Sequence, residues 1–304
     1  MIRLVHKFST RNNAAQITSR KEKKLAILSI QSSVITGYVG NAAARLPLQR
    51  LGFEVWALDT VILSNHPAIC PPTGQTNTPE QILNLFNGID SLGLLSDCVG
   101  VLGGYLGHAN NGPAMVHVVN KTKNKNKRTL FICDPVMGDN GKIYVDGDIV
   151  RFYVDSVMGL ADIILPNAFE ASLLTGTSVT SVSTALQAIQ KLRNNGPAIA
   201  VITGVEAPDN SKLATLISFK DEVWQTITPK IEIQSHGAGD LLSALFTGYY
   251  IRSKNPLMSV SGAVAGVYAA LKNAEETKSN TLSLVSVQEV INDPPETFPP
   301  ERLR

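Results

Sequence analysis

Along almost the whole chain, short apolar β-type runs alternate with amphipathic helical stretches, and few folds accommodate that order. The first run, 25–30, is continuous rather than alternating, which marks a strand covered on both faces. A helix is expected over 40–51, with Ala42, Ala43, Leu46 and Leu51 on one face and a kink at Pro47. Further strands are expected over 53–64, 98–103, 129–133, 162–165 and 198–203. Segments 213–219 and 222–227 alternate and should pair antiparallel around Lys220-Asp221. Thr78 before Pro79 should cap a helix running to about 89, and others are expected over 112–119, 169–174, 184–194, 239–252, 256–271 and 287–291. The Pro-rich stretch 65–77 reads as a loop and the Lys/Asn run 120–128 as a solvated turn. Repeated β-then-α units imply an α/β fold with three layers, a doubly wound and mostly parallel central sheet with helices on both faces. One domain is expected over 25–293, with a basic extension over 1–24 and a Pro-rich tail over 294–304.

Charge is unevenly placed. The formal net charge is +2, but residues 1–24 hold seven of the 27 basic groups and one acid, leaving the body near −4. The body therefore gives no argument for nucleic-acid binding. The extension is rich in Arg, Ser and Asn, which fits either an organellar transit segment or a plain extension; the plain reading, with a cytoplasmic protein, is preferred. Cys70, Cys98 and Cys133 are scattered, which suits a reducing compartment and neither a zinc site nor a disulfide framework. No apolar run is long enough to span a bilayer, so no membrane partner is expected.

In doubly wound sheets ligands bind beyond the carboxyl ends of the strands. The unusual polar residues fall there: Ser32, Gly104-Tyr105, Asp134, Asn167 to Glu170, and Thr203-Gly204. The sharpest segment is Gly237-Ala238-Gly239-Asp240, followed at once by a run of small and apolar residues. Its glycines allow a tight curl into a helix, where free N–H groups and the helix dipole would hold a phosphate. Asp240 could cap that helix, or accept a proton from a substrate hydroxyl. Asp134 before Pro135 could cap a turn, and Glu170 could serve a first helical turn.

Gly-Ala-Gly-Asp before a small-residue helix resembles the second signature of the ribokinase-like kinases. The segments Ser29 to Val34, Gly37 to Asn41, Pro47 to Gly52, Ser64-Asn65-His66, Gly104-Tyr105, Cys133 to Asp139 and Ala161 to Glu170 resemble the pyridoxal kinase family in order and spacing. The resemblance covers residues 25–275. It implies ATP-dependent phosphorylation of the 5′-hydroxymethyl group of a B6 vitamer. It implies Asp240 as catalytic base, with the amides of Gly237, Ala238 and Gly239 on the transferring phosphate. Asp134 and Glu170 would organise Mg²⁺, and a monovalent cation such as K⁺ could join it. Ser32, Val39, Pro67 and Tyr105 would meet the vitamer. Asp139, Tyr144, Leu165 and Thr203 would lie along ATP. A homodimer is implied as well. His66 reads as a structural or gating residue, and His6, His108, His117 and His236 show no ligand spacing.

The chain departs from the family at Pro67, where Thr is usual, and lacks the Tyr and Trp common further along that loop. Ala238 replaces a common Thr, and Leu165 a small or hydroxyl residue. The alternatives are a hydroxymethylpyrimidine kinase, a sugar or nucleoside kinase, or a non-catalytic vitamer-binding relative. The first usually carries Cys in place of Asp240, and the second a lid insertion that is absent from this chain. No G-x-G-x-x-G opens the first helix and no G-x-x-x-x-G-K-[ST] occurs, which disfavours dinucleotide and P-loop chemistry.

Overall fold

Successive side chains of a strand leave opposite faces of its sheet, and here both faces are apolar. The computed structural model of the protein describes residues 25–233 and 235–303, so the basic extension 1–24 lies outside the described residues. Six strands run parallel: β1 (Ala26–Val34), β2 (Glu54–Leu63), β4 (Cys98–Gly103), β5 (Leu130–Cys133), β8 (Ile163–Ile164) and β9 (Ile199–Glu206). Antiparallel strands extend both edges: β3 (Gly74–Thr76) beside β2, and β10 (Lys212–Phe219), β11 (Glu222–Pro229) and β12 (Glu301–Arg302) beyond β9. The order is β12-β11-β10-β9-β8-β5-β4-β1-β2-β3. A separate hairpin joins β6 (Gly138–Asp139) to β7 (Lys142–Ile143).

Leu28, Val101, Phe131 and Ile202 face one side, under α2 (Pro79–Ser91), α3 (Asn111–Lys125), α4 (Gly147–Phe152), α5 (Ala168–Thr175) and α6 (Val182–Asn194). Their neighbours Ile27, Leu102, Ile132 and Val201 face the other, under α1 (Asn41–Arg50), α7 (Ala238–Ser253) and α8 (Pro256–Glu276). This is the expected three-layer arrangement. The chain leaves β1 for β2 on one side and returns to β4 on the other. The crevice at that reversal, outside the carboxyl ends of β1 and β4, is where such a sheet takes a ligand.

Several elements differ from expectation. In α1 the buried residues are Asn41, Ala43, Ala44, Pro47 and Leu48, with Leu51 buried just beyond its end, so Ala43 and Leu51 face inward as expected while Ala42 and Leu46 are only half-buried. Helix α3 continues to Lys125 through the run expected to be a turn. Lysines are good helix formers and suit a helix C-terminus, and Lys121 and Lys123 find Asp90 at 2.8 Å and Asp162 at 2.7 Å. Residues 287–291 form hydrogen-bonded turns instead of a helix, with Ile291 N donating to Val287 O at 3.0 Å. The loop 65–77 contains β3, and Glu301–Arg302 pairs with Gln225 and Trp224 at the far edge. Helix α4 and the π-type turn Tyr153–Val157 after it had no sequence signal.

Thr78 does cap α2. Its hydroxyl accepts Gln81 N–H, and Gln81 Oε1 accepts Thr78 N–H at 2.8 Å, a reciprocal box that satisfies two orphan donors. Thr78→Ala is expected to lower stability by about 1 kcal/mol, read as a lower denaturation midpoint with an unchanged slope.

Candidate active site

The tightest backbone constraint in the cleft lies at the start of α7. Gly237 has φ +93°, and a Cβ there would fall 1.9 Å from the Tyr38 carbonyl oxygen. Only glycine allows both the conformation and the approach. The turn 237–239 is thereby pressed against residues 38–40. Gly40, at φ +53°, makes a matching approach: a Cβ would meet Ser32 O at 2.1 Å and Ser32 Oγ at 2.7 Å. The Gly40 N–H in turn acts on the Asp240 carboxylate, favouring its charged form. Ser32, Gly40 and Asp240 thus form one contiguous set of contacts.

Asp134 leaves the end of β5 with its N–H on Gly103 O at 2.8 Å. It is 5% exposed and accepts a hydrogen bond from the Ser243 hydroxyl, one turn beyond Asp240 on α7. Burial, and then the charge of Asp240, push Asp134 up to about 7. Asp240 as a whole residue is half-buried, yet burial of its carboxyl group pushes it up to about 6, against the Gly40 N–H.

Glu170 caps α5. Its carboxylate accepts Asn167 N and Met137 N, each at 2.9 Å, while Asn167 Oδ1 accepts Glu170 N at 2.9 Å. Asn167 Nδ2 also holds Gly138 O at 2.8 Å, which fixes the β6–β7 hairpin beside the helix. Burial and the Asp134 charge raise Glu170 well above the usual carboxylate range, although three backbone amides pull the other way. The capping role and a place in the charged site are therefore the same arrangement.

Among the described residues no lysine, arginine or histidine is among the groups that shift Asp134, Glu170 or Asp240. A divalent cation fits that donor set. Among the described residues no three His, Cys, Asp or Glu side chains gather into a metal cage. An ion here would keep mostly water and phosphate oxygens, the habit of Mg²⁺.

Around this centre, Tyr144 is 51% exposed as a whole residue, yet burial of its hydroxyl group and then Glu170, Asp134, Asp139 and Asp240 hold it above its ordinary range. Asp139 is exposed on the hairpin and accepts Asn140 N–H at 2.8 Å. Thr203 lies across from Asn167 in a parallel bridge. Tyr105 is half-buried, its carbonyl taking the Thr60 hydroxyl at 2.6 Å. Val39 is buried behind Gly237, and Pro67 is exposed on its loop. Leu165 needs correcting: it is 3% exposed and packs in the core under α7 and α8, so its side chain has no place along a nucleotide.

The sequence reading missed the Gly40 amide, Ser243 and His236. Ser243 had a signal, its i+3 spacing from Asp240, which puts both on one face of α7. Asn167-x-x-Glu170 likewise carries the spacing of a capping box.

A carboxyl raised on folding binds its proton more tightly in the folded state. Stability from it is complete below the unfolded value near 3.8 and is lost as pH rises through about 7. In metal-free buffer the protein should therefore lose stability between about pH 4 and 7. Asp134→Asn should melt several degrees higher than the parent at pH 8 and no higher at pH 4; equal melting at pH 8 would contradict the raised carboxyl.

A family model described as phosphomethylpyrimidine kinase matches residues 106–284. A pyridoxal kinase PdxY of Rubrobacter xylanophilus is 36% identical over 92% of this chain and 98% of its own length. That of Deinococcus radiodurans is 37% identical over 91% of the chain and 96% of its own length. Among solved structures, pyridoxal kinase from Leishmania donovani in complex with ADP and pyridoxamine superposes with a TM-score of 0.87 at 30% identity. The match covers 92% of this chain and 99% of that one. Plasmodium falciparum PdxK, with AMP-PNP and PL, gives 0.83 at 25% identity over 93% and 100%.

Proposed function

The chain belongs to the phosphomethylpyrimidine kinase family and, within it, to the pyridoxal kinases; from that premise we propose how its own residues carry out ATP-dependent phosphorylation of a B6 vitamer. One observation carries the reading: Asp240 opens α7 beside the Gly237–Gly239 amides, within reach of Gly40 and Ser32 on one side and Asp134 on the other.

Asp240 takes the proton of the 5′-hydroxymethyl group as the alcohol oxygen bonds to the γ-phosphorus and the bond to the β–γ bridging oxygen breaks, with ADP leaving. With a carboxyl near 6, it is ionised at neutral pH yet more basic than an ordinary aspartate. The amides at 237–239 and the α7 dipole meet the charge on the transferring group. Asp134 and Glu170 would hold Mg²⁺, which supplies positive charge to the ATP phosphates. Since Glu170 already accepts backbone N–H groups on both oxygens, it reaches the ion best through water. Ser32, Val39 and Tyr105 line the vitamer side, under the loop that carries Pro67. Tyr144, Asp139 and Thr203 lie toward ATP. A K⁺ requirement, a homodimer, a cytoplasmic setting and a single kinase domain over 25–293 rest on the family resemblance and the sequence pattern. Among the described residues no helix is long and apolar enough to cross a membrane.

The match to a phosphomethylpyrimidine kinase model favours a pyrimidine alcohol as the second reading of the acceptor. ATP-Mg turnover against pyridoxal, pyridoxine, pyridoxamine and hydroxymethylpyrimidine decides between them; turnover of the pyrimidine alone would replace the vitamer reading. Asp240→Asn should cut kcat by about 10²- to 10⁴-fold with unfolding unchanged. Near-parental turnover would remove it as the base. Asp134→Asn, although stabilising in metal-free buffer, should raise the Mg²⁺ concentration for half-maximal rate.

A further inference from the structure

His66 and His236 stack, with ring centroids 4.2 Å apart and planes 21° apart. They come from distant parts of the chain. His66 lies just past the carboxyl end of β2, and His236 immediately precedes Gly237.

The two rings are held in different ways. His236 is fixed from behind: its backbone bridges to Thr281, in a segment anchored by the fully buried Leu282 and Leu284. The adjacent Gly237 is pinned against Tyr38. The segment 64–73 is tied chiefly to itself. Ser64 N donates to Thr73 O at 2.8 Å, and Thr73 N to Ser64 Oγ at 3.0 Å. The buried Asn65 amide spans the loop, donating to His66 O at 3.1 Å and Cys70 O at 2.8 Å. Residues 67–70 are exposed. A loop bonded within itself moves as a unit, and its position over the cleft depends on contacts made with other segments. The stack joins it to the phosphate turn.

We propose that His236 is a positioning residue: by stacking on His66 it holds the 64–73 loop against the start of α7, so that acceptor affinity depends on an aromatic ring at position 236. The inference rests on the kinase reading of the cleft, since the acceptor end is defined by Asp240. The state of His66 supports it. Burial, and then His236, hold His66 down to about 4, and its Nδ1 accepts Ala68 N–H at 3.3 Å. An uncharged ring stacks on its neighbour without repulsion.

The test is a double-mutant cycle in the full chain with His66→Ala, His236→Ala, the double variant and His236→Phe. An aromatic pair of ordinary strength predicts a roughly three- to tenfold rise in KM for pyridoxal in either single variant. The double variant should be no worse than either single one, and His236→Phe should recover the parental KM. The KM for ATP should stay put. Without ligand, His236→Ala should speed hydrogen exchange at the Ala68 and Ile69 amides, a readout that needs no turnover. Additive effects, an impaired His236→Phe, or unchanged exchange would overturn the proposal. A parent chain that phosphorylates no vitamer would instead refute the kinase reading, and the exchange experiment would still judge the stack.

Discussion

Burial raises the carboxyls of Asp134, Glu170 and Asp240 together, the charge of Asp240 adds to it at Asp134 and that of Asp134 at Glu170, and among the described residues no basic side chain is among the groups that shift them. Every other feature of the cleft can be understood as holding that arrangement in place. Backbone N–H groups from Gly40, Asn167, Met137 and Gly138 supply the local positive ends, and the starts of α5 and α7 point their dipoles the same way. Amides of this kind fix geometry without cancelling charge. Under the proposed function, such a site suits a cation that accompanies the nucleotide's phosphates, since among the described residues no lysine competes for the carboxylates.

The fold makes this possible by bringing distant segments of the chain to one place. β1 is the strand at which the winding changes direction, so residues after it border the crevice. The start of α7 enters the same crevice from the opposite helix layer. Gly237 against Tyr38 and Gly40 against Ser32 let two backbones approach where any Cβ would collide. Ser243 then ties α7 to Asp134 across the sheet end. The arrangement therefore depends on glycines for proximity and on a hydroxyl for registration.

Much of this was legible in the sequence, and the failures have physical causes. The strand 98–103, the hairpin around Lys220 and the cap at Thr78 follow from local pattern and turn chemistry. The end of α3 was misplaced because asparagines mimic a breaker, whereas ion pairs to Asp90 and Asp162 depend on packing no local window contains. The turn at 287–291 has helical spacing, and the two-residue strand β12 is too short for periodicity to mark. In the site, Asp240, Asp134 and Glu170 stood in recognisable motifs. Gly40 and His66 also lie in such segments, but the Gly40 amide beside Asp240 and the His66–His236 stack were not legible, because each is a meeting of segments about 170 to 200 residues apart. Leu165 was misassigned from its motif position; a strand this central turns that side chain into the core.

The loop with Pro67 shows how a departure from a family pattern can be absorbed. Proline there offers neither hydroxyl nor N–H, and residues 67–70 face outward, so the loop contributes little polar recognition of its own. Its shape is kept instead by Asn65, whose buried side-chain amide bridges the ends of the turn, and by Ser64 on Thr73. Under the proposed function, polar recognition of the acceptor then falls on the β1 side, where Gly40 lies close to Ser32, and on Asp240. The tie that this loop keeps to the start of α7 is the His66–His236 stack, an apolar contact that needs neither a hydroxyl nor an N–H at position 67.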